Sequence, residues 1–258
     1  LLYPTISSYW NSKTQSEAIV DYEAMLANYK PEDYTALIEQ AHKYNKDLAA
    51  LDFPLREYKK IEDSYWKTLD ISGTGMIGYI TIPKINQELP IYHGTSEAVL
   101  STAVGHFQGS SLRVGGKKTH SVISAHRGLP TAVLFTYLDR MEIGDTFTFT
   151  ILDRTMTYEV DQIRIVEPSD TTLIQIEDGK DYCTLLTCTP YGINTQRLLV
   201  RGHQIDTNQN RNIYISNDAY RLDTLIVMPI VALPIIIVLL IYIMLVPVKK
   251  ESLEEGGI

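Results

Sequence analysis

Residues 181–204 read DYCTLLTCTPYGINTQRLLVRGHQ, two apolar runs set either side of a Pro-Tyr-Gly turn. Short runs bounded by such turn residues are strand signals, and the turn predicts that the two strands pair as a hairpin. Cys188 closes the first strand and Arg197 opens the second, so in that hairpin the two face each other near its mouth. A permanently charged guanidinium beside a thiol favours the thiolate and can also donate to an oxyanion. Arg201 shares the strand face but lies about 13 Å further along, which predicts an exposed or ion-paired arginine.

The same texture extends outward. MIGYITIPKI, ELPIYHG, HSVISAH, DTFTFTIL and MTYEVDQIRIV are further short runs rich in β-branched and aromatic residues, separated by Gly115-Gly116, Gly144-Asp145 and Asp178-Gly179. Spacing this regular predicts an all-β barrel or sandwich over residues 70–205. One short helix, TAVLFTYLDRM, is expected to interrupt it.

Residues 1–69 have a helical pattern instead. In SKTQSEAIVDYEAMLANY the residues Ala18, Ile19, Tyr22, Met25, Leu26 and Tyr29 form one stripe, with Ser16 as a candidate cap. Pro31 ends that helix and opens a second in its first turn. LDFPLREY at 51–58 has no clear period, and the glycine-rich SGTGMIG at 72–78 marks the boundary to the strands.

The chain has 258 residues and a net charge of −8, with no Lys/Arg-rich block, which argues against a nucleic-acid backbone as partner. Residues 225–246, LIVMPIVALPIIIVLLIYIMLV, carry no formal charge. As a helix they would run roughly 33 Å, enough to cross a hydrocarbon core, and Pro229 and Pro234 are tolerated in such a span. Lys249 and Lys250 follow directly, so the positive-inside rule predicts a cytoplasmic tail at 247–258 and everything before Leu225 outside the cell. The polar, Asn-rich residues 206–224 read as a stalk. Because the chain opens at Leu1, a signal or span ahead of it is also an expectation.

Outside a cell, two cysteines invite a disulfide. Cys183 and Cys188 are five residues apart on one strand, so they point to opposite faces roughly 16 Å apart, whereas a disulfide needs Cα atoms within about 7 Å. Both are expected to be free, one facing a core and one at an accessible strand end.

A reactive thiol needs a proton partner, and six histidines compete. His120 and His126 share a strand face, with His126 at the strand end beside the Arg127-Gly128-Leu129-Pro130 turn, matching Cys188. His93 and His203 also sit at strand ends, His42 falls on a helix and His106 in a loop. Position favours His126, and any of the six can equally be a satisfied structural histidine.

The strings TLLTCTPYGINTQRLLVRG and THSVISAHRGLPTAVLFTYLD resemble those of the sortases, in particular the pilus-assembling class C branch. IGYITIPKINQELPIYHGTS, GHFQGSSL and LYPTISSYWN extend the likeness over residues 1–204. The family's Thr-Leu-x-Thr-Cys motif stands as Thr184-Leu185-Leu186-Thr187-Cys188, its histidine falls on His126 and its arginine on Arg197. The resemblance implies a mainly β fold: a closed barrel with short helices, a helical lid region ahead of it and a C-terminal membrane helix. It also implies a cysteine transpeptidase that cuts an LPxTG-like sorting signal between Thr and Gly and passes the acyl group to a pilin lysine. That chemistry calls for no metal or organic cofactor. The alternatives are a peptidase with water as acceptor, anchoring of surface proteins to the cell wall, and a tethered β module whose cysteine is incidental.

Class C sortases resemble one another in a lid built on an Asp-Pro-aromatic triad, in which the Asp pairs with the active-site arginine and the ring covers the cysteine. Here the matching stretch is Asp52-Phe53-Pro54, with the proline after the aromatic. Proline restrains the residue before it, so the order predicts a lid at 51–58 held more loosely than the family pattern.

Overall fold

The computed structural model describes residues 3–206 together with 232, 234, 236–238 and 240–242. Eight strands close into a barrel: β1 (Met76–Ile82), β2 (Gln87–His93), β3 (Val104–His106), β4 (Thr119–Ser124), β5 (Thr146–Ile151), β6 (Arg154–Val166), β7 (Asp181–Thr189) and β8 (Gln196–Ile205). Around the barrel the order is β1-β2-β3-β4-β7-β8-β6-β5. Closure leaves no edge strand open to another chain. Of the neighbouring pairs, β2–β3 and β4–β7 run parallel and the others antiparallel. A parallel pair needs a long crossover, and for β4–β7 the chain between them supplies β5 and β6.

Alternation sorts each strand into two faces. On β7, Cys183 and Leu185 point into the main core with Ile80, Phe147, Phe149 and Tyr158. On the other face Leu186 packs with Val122 of β4, Leu199 of β8 and Ile174 in a separate small cluster outside the barrel. Cys188, two residues after Leu186, belongs to that outer face.

Two helices lie against the barrel, α1 (Tyr3–Leu26) and α2 (Pro31–Ala49). Ile19 and Tyr22 of the predicted stripe bury against Met76, and the Tyr22 hydroxyl donates to Ile77 O at 3.1 Å. Ser16 is not a cap: α1 begins at Tyr3, so Ser16 lies inside it and its hydroxyl donates to Ser12 O. Pro31 does open α2, in which Ile38, Ala41, Tyr44 and Leu48 join the barrel core. Asn45 uses both ends of its amide on one residue, donating to Leu112 O and accepting from Leu112 N, each at 2.8 Å. Within residues 3–206 there are also three short helices, α3 (Pro54–Glu57), α4 (Glu62–Lys67) and α5 (Glu97–Leu100).

Two readings of the barrel are corrected, and one further helix appears. TAVLFTYLDRM forms no α-helix; only a 3-10 turn at Leu138–Arg140 appears there. Ala132, Leu134, Phe135 and Leu138 all go to the core instead, with Leu134 at a positive φ of 42° that a helix cannot accommodate. His106 is not in a loop but on β3, a strand of three residues too short to show a period. α5 also went unseen, although Ser96 caps it by accepting from Val99 N.

One compact unit covers residues 1–209 and a second 210–258. Most of the predicted stalk, span and tail (206–224, 225–246 and 247–258) lies outside the described residues. The eight described positions within 225–246 are helical. Among the described residues, no helix is long and apolar enough to cross a membrane.

Candidate active site

The β7–β8 ladder sets Cys188 directly opposite Arg197. On the other side of β7, the parallel β4 pairs Ser124 with Leu186. That register continues past the end of β4, where Ala125 N donates to Leu186 O at 3.2 Å and the Thr187 hydroxyl donates to Ala125 O at 2.8 Å. Two residues beyond the Ser124–Leu186 pair on each segment come His126, in the loop after β4, and Cys188, near the end of β7. Thr187 is fully buried, and its hydroxyl ties the strand of Cys188 to the loop of His126.

Cys188, His126 and Arg197 line one cavity of about 330 Å³, walled by Phe107, Leu186 and Leu199. Cys188 is half-buried and free. Nε2 of His126 lies 3.4 Å from Glu97 Oε2 at the start of α5, a neighbour that sequence reading missed. Arg197 donates through Nη1 to Asn194 O at 3.2 Å and Gln196 O at 3.0 Å, which folds part of the guanidinium back onto its own turn.

The other five histidines have other occupations. His120 is buried, donating from Nδ1 to Gln175 O and accepting at Nε2 from Thr184 Oγ1, both at 2.8 Å, and burial pushes its pKa down to about 4. His106 is buried too, with Nε2 donating to Ser111 O at 2.9 Å, and desolvation takes its pKa down to about 3. His93 sits edge-on to Tyr65, its pKa also lowered by burial. His203 lies 3.7 Å from Asp161. His42 faces Gly116 from α2.

Cys183 lies in the core beside Arg113 and Ser121, and burial pushes its thiol up to about 12. It is therefore a protonated packing group. Arg201 grips Asp161 with two bonds, at 2.9 and 3.2 Å, and stacks 4.1 Å from the Tyr182 ring centroid, the ion-paired role its position predicts.

The lid residues are not brought to the cavity. Phe53 is 61% exposed, and Arg56 of α3 reaches over its ring at 6.0 Å. Asp52 is exposed, and among the described residues no ion pair joins it to Arg197. Phe53 precedes Pro54, the first residue of α3, and takes φ −134°, ψ 75° at the helix boundary, so its ring is directed by the start of that helix. From the same segment it is Leu55 that packs against the outer apolar cluster of Val122, Ile174 and Leu199.

These features have close counterparts among known proteins. A family model described as a sortase domain matches residues 80–205. The crystal structure of sortase C1 from Streptococcus agalactiae superposes with a TM-score of 0.70 and 49% identity, covering 74% of this chain and 98% of that one. Sortase C of Streptococcus pneumoniae, whose structure is described as bearing on pilin substrate specificity, gives 0.67 and 43%, covering 74% and 97%. Sortase C from Clostridium perfringens SM101 gives 0.62 and 42%, covering 74% and 99%. The curated sortase D of Bacillus subtilis strain 168 is 31% identical over 131 residues, which is 50% of this chain and 63% of that protein, so the match spans less than two thirds of the relative. With a closed barrel that places a cysteine, a histidine and an arginine on one outer face, and with this likeness along nearly the whole length of solved class C enzymes, the chain belongs to the sortase family.

Proposed function

We propose that this chain is a cysteine transpeptidase that cuts an LPxTG-like sorting signal between Thr and Gly and joins the freed acyl group to a pilin lysine. The observation that carries the reading is the meeting of Cys188, His126 and Arg197 in one cavity, from three separate segments. Cys188 as thiolate attacks the Thr carbonyl, and Arg197 donates to the oxygen as it becomes an oxyanion. Collapse breaks the Thr–Gly bond, His126 gives its proton to the departing amine, and a thioacyl-enzyme remains. A lysine amine then attacks the thioester, His126 takes its proton, and Cys188 leaves as thiolate with an isopeptide bond formed. Repetition with pilins that carry both the signal and the lysine gives a polymer.

The apolar run at 225–246 and the lysines at 249 and 250 support a membrane anchor, with the catalytic domain outside and residues 247–258 in the cytoplasm. Protease treatment of intact cells tests this: the barrel is expected to be cleaved and the tail protected, and the reverse would overturn the orientation. For the chemistry, a signal peptide is offered together with a lysine-bearing acceptor and the products are weighed. Aminolysis in excess of hydrolysis is expected; hydrolysis alone would make the enzyme a peptidase.

A further inference from the structure

Arg127 follows His126 directly, yet its side chain is only 8% exposed. Its Nη2 donates to Asp139 Oδ2 at 2.6 Å, its Nη1 donates to Thr189 Oγ1 at 3.3 Å, and its guanidinium carbon lies 5.8 Å from the Tyr191 ring centroid. Thr189 is the residue after Cys188, and Tyr191 stands in the turn that leads to Arg197. Asp139 belongs to the loop that folds back over His126, where Phe135 N donates to His126 O at 3.3 Å. Gly128, at φ +77°, lets the Tyr191 ring close on this loop, since a Cβ there would stand 3.0 Å from Tyr191 Cε2.

One side chain therefore touches the nucleophile's strand just beyond the sulfur, the turn before the arginine, and the loop behind the histidine. The arrangement is costly to keep, because Nε of Arg127 is buried with no acceptor among the described residues. An apolar side chain of similar volume would fill the space without that penalty. What it would lack is a planar fork that fixes three segments in one geometry.

We propose that Arg127 is a positioning residue that holds His126, Cys188 and Arg197 in register for acyl transfer. This rests on the reading of Cys188 and His126 as the reacting pair. It acts through its neighbours rather than on the substrate, so its loss acts on turnover more than on binding.

The test compares the full chain with its Arg127→Met, Arg127→Lys and Asp139→Asn variants in three measurements: melting temperature, kcat and KM for signal cleavage, and the pH profile of Cys188 alkylation. The expected result for Arg127→Met is an unchanged or higher melting temperature, kcat at least tenfold lower, KM within twofold, and a shifted alkylation profile. Arg127→Lys is expected to recover little, because charge without the fork does not span three segments, and Asp139→Asn to give a smaller shift in the same sense. A folded Arg127→Met with wild-type kcat, or a lower melting temperature with an unmoved alkylation profile, would overturn the proposal. If Arg127→Met does not fold, Asp139→Asn reads the same outcomes. Should the wild type cleave no signal peptide, the functional reading fails, while the alkylation profile still decides the role of Arg127.

Discussion

Cys188 and Arg197 are a register pair across the β7–β8 ladder, and they share their outward face with Leu186 and Leu199. Because faces alternate along β7, that relationship also sends Cys183 into the core. The two thiols therefore have different tasks. Cys188→Ala is expected to abolish acyl transfer with little change in stability. Cys183→Ala should leave catalysis intact and lower stability by about 1 kcal/mol through the space left in a close-packed core. Urea unfolding and cleavage assays on both variants check this; equal loss of activity in two folded variants would sink the assignment.

The two arginines of β8 should separate in the same way. Arg197→Lys keeps a charge but not the planar set of donors, and kcat/KM is expected to fall at least tenfold, about 1.4 kcal/mol of transition-state stabilisation. Arg201→Lys breaks the paired bonds to Asp161, so it is expected to cost about 1 kcal/mol of stability and to leave kcat/KM within about twofold. Steady-state kinetics beside melting curves rank them, and a reversed ranking would show the wrong arginine had been chosen.

Acid should destabilise the domain through two buried histidines. His106 and His120 stay neutral in the fold, with pKa values of about 3 and about 4, below the ordinary histidine value of 6.5. As pH falls through 6.5 the unfolded chain takes up protons on both rings and the folded chain does not. Stability fully present above pH 6.5 is then lost progressively, down to about pH 4 for His120 and about pH 3 for His106, on the order of 1 kcal/mol per pH unit for each ring. Urea midpoints measured at pH 7, 6 and 5 should decline steadily, and a flat series would mean the rings charge without unfolding.

The segment at 51–58 yields a prediction that differs from the family's lid. Phe53 points to solvent and Asp52 has no ion pair with Arg197, whereas Leu55 packs on the cluster beside the cavity. Phe53→Ala and Asp52→Ala are expected to change the rate of Cys188 alkylation by less than about twofold, and Leu55→Ala to raise it several-fold by loosening the wall. A large rise with Phe53→Ala alone would place the ring over the thiol after all.

Seven of the eight strands were legible because their apolar residues alternate over several positions and turn residues bound them. β3 was not, since Val104–His106 is too short to show a period. In TAVLFTYLDRM the apolar spacing suits a helix, but Ala132, Leu134 and Phe135 bury themselves from an irregular loop, an arrangement set by the barrel and not by local preference. The hairpin pairing of Cys188 with Arg197 was readable from the turn alone. Its strand-end position favoured His126 among the six histidines, but its sharing a cavity with Cys188 depends on β4 running parallel to β7, a long-range pairing with no local signal. Glu97 and Arg127 were missed for the same reason: their partners lie 29 and 62 residues away.

The central claim is that Cys188 carries an acyl group that a lysine amine removes. Mass spectrometry of the full chain incubated with a pilin bearing both an LPxTG-like signal and an acceptor lysine tests it most directly. The expected result is a thioacyl adduct on Cys188 that disappears as isopeptide-linked multimers accumulate, with neither species formed by Cys188→Ala. Multimers formed by Cys188→Ala, or an adduct that only water releases, would contradict it.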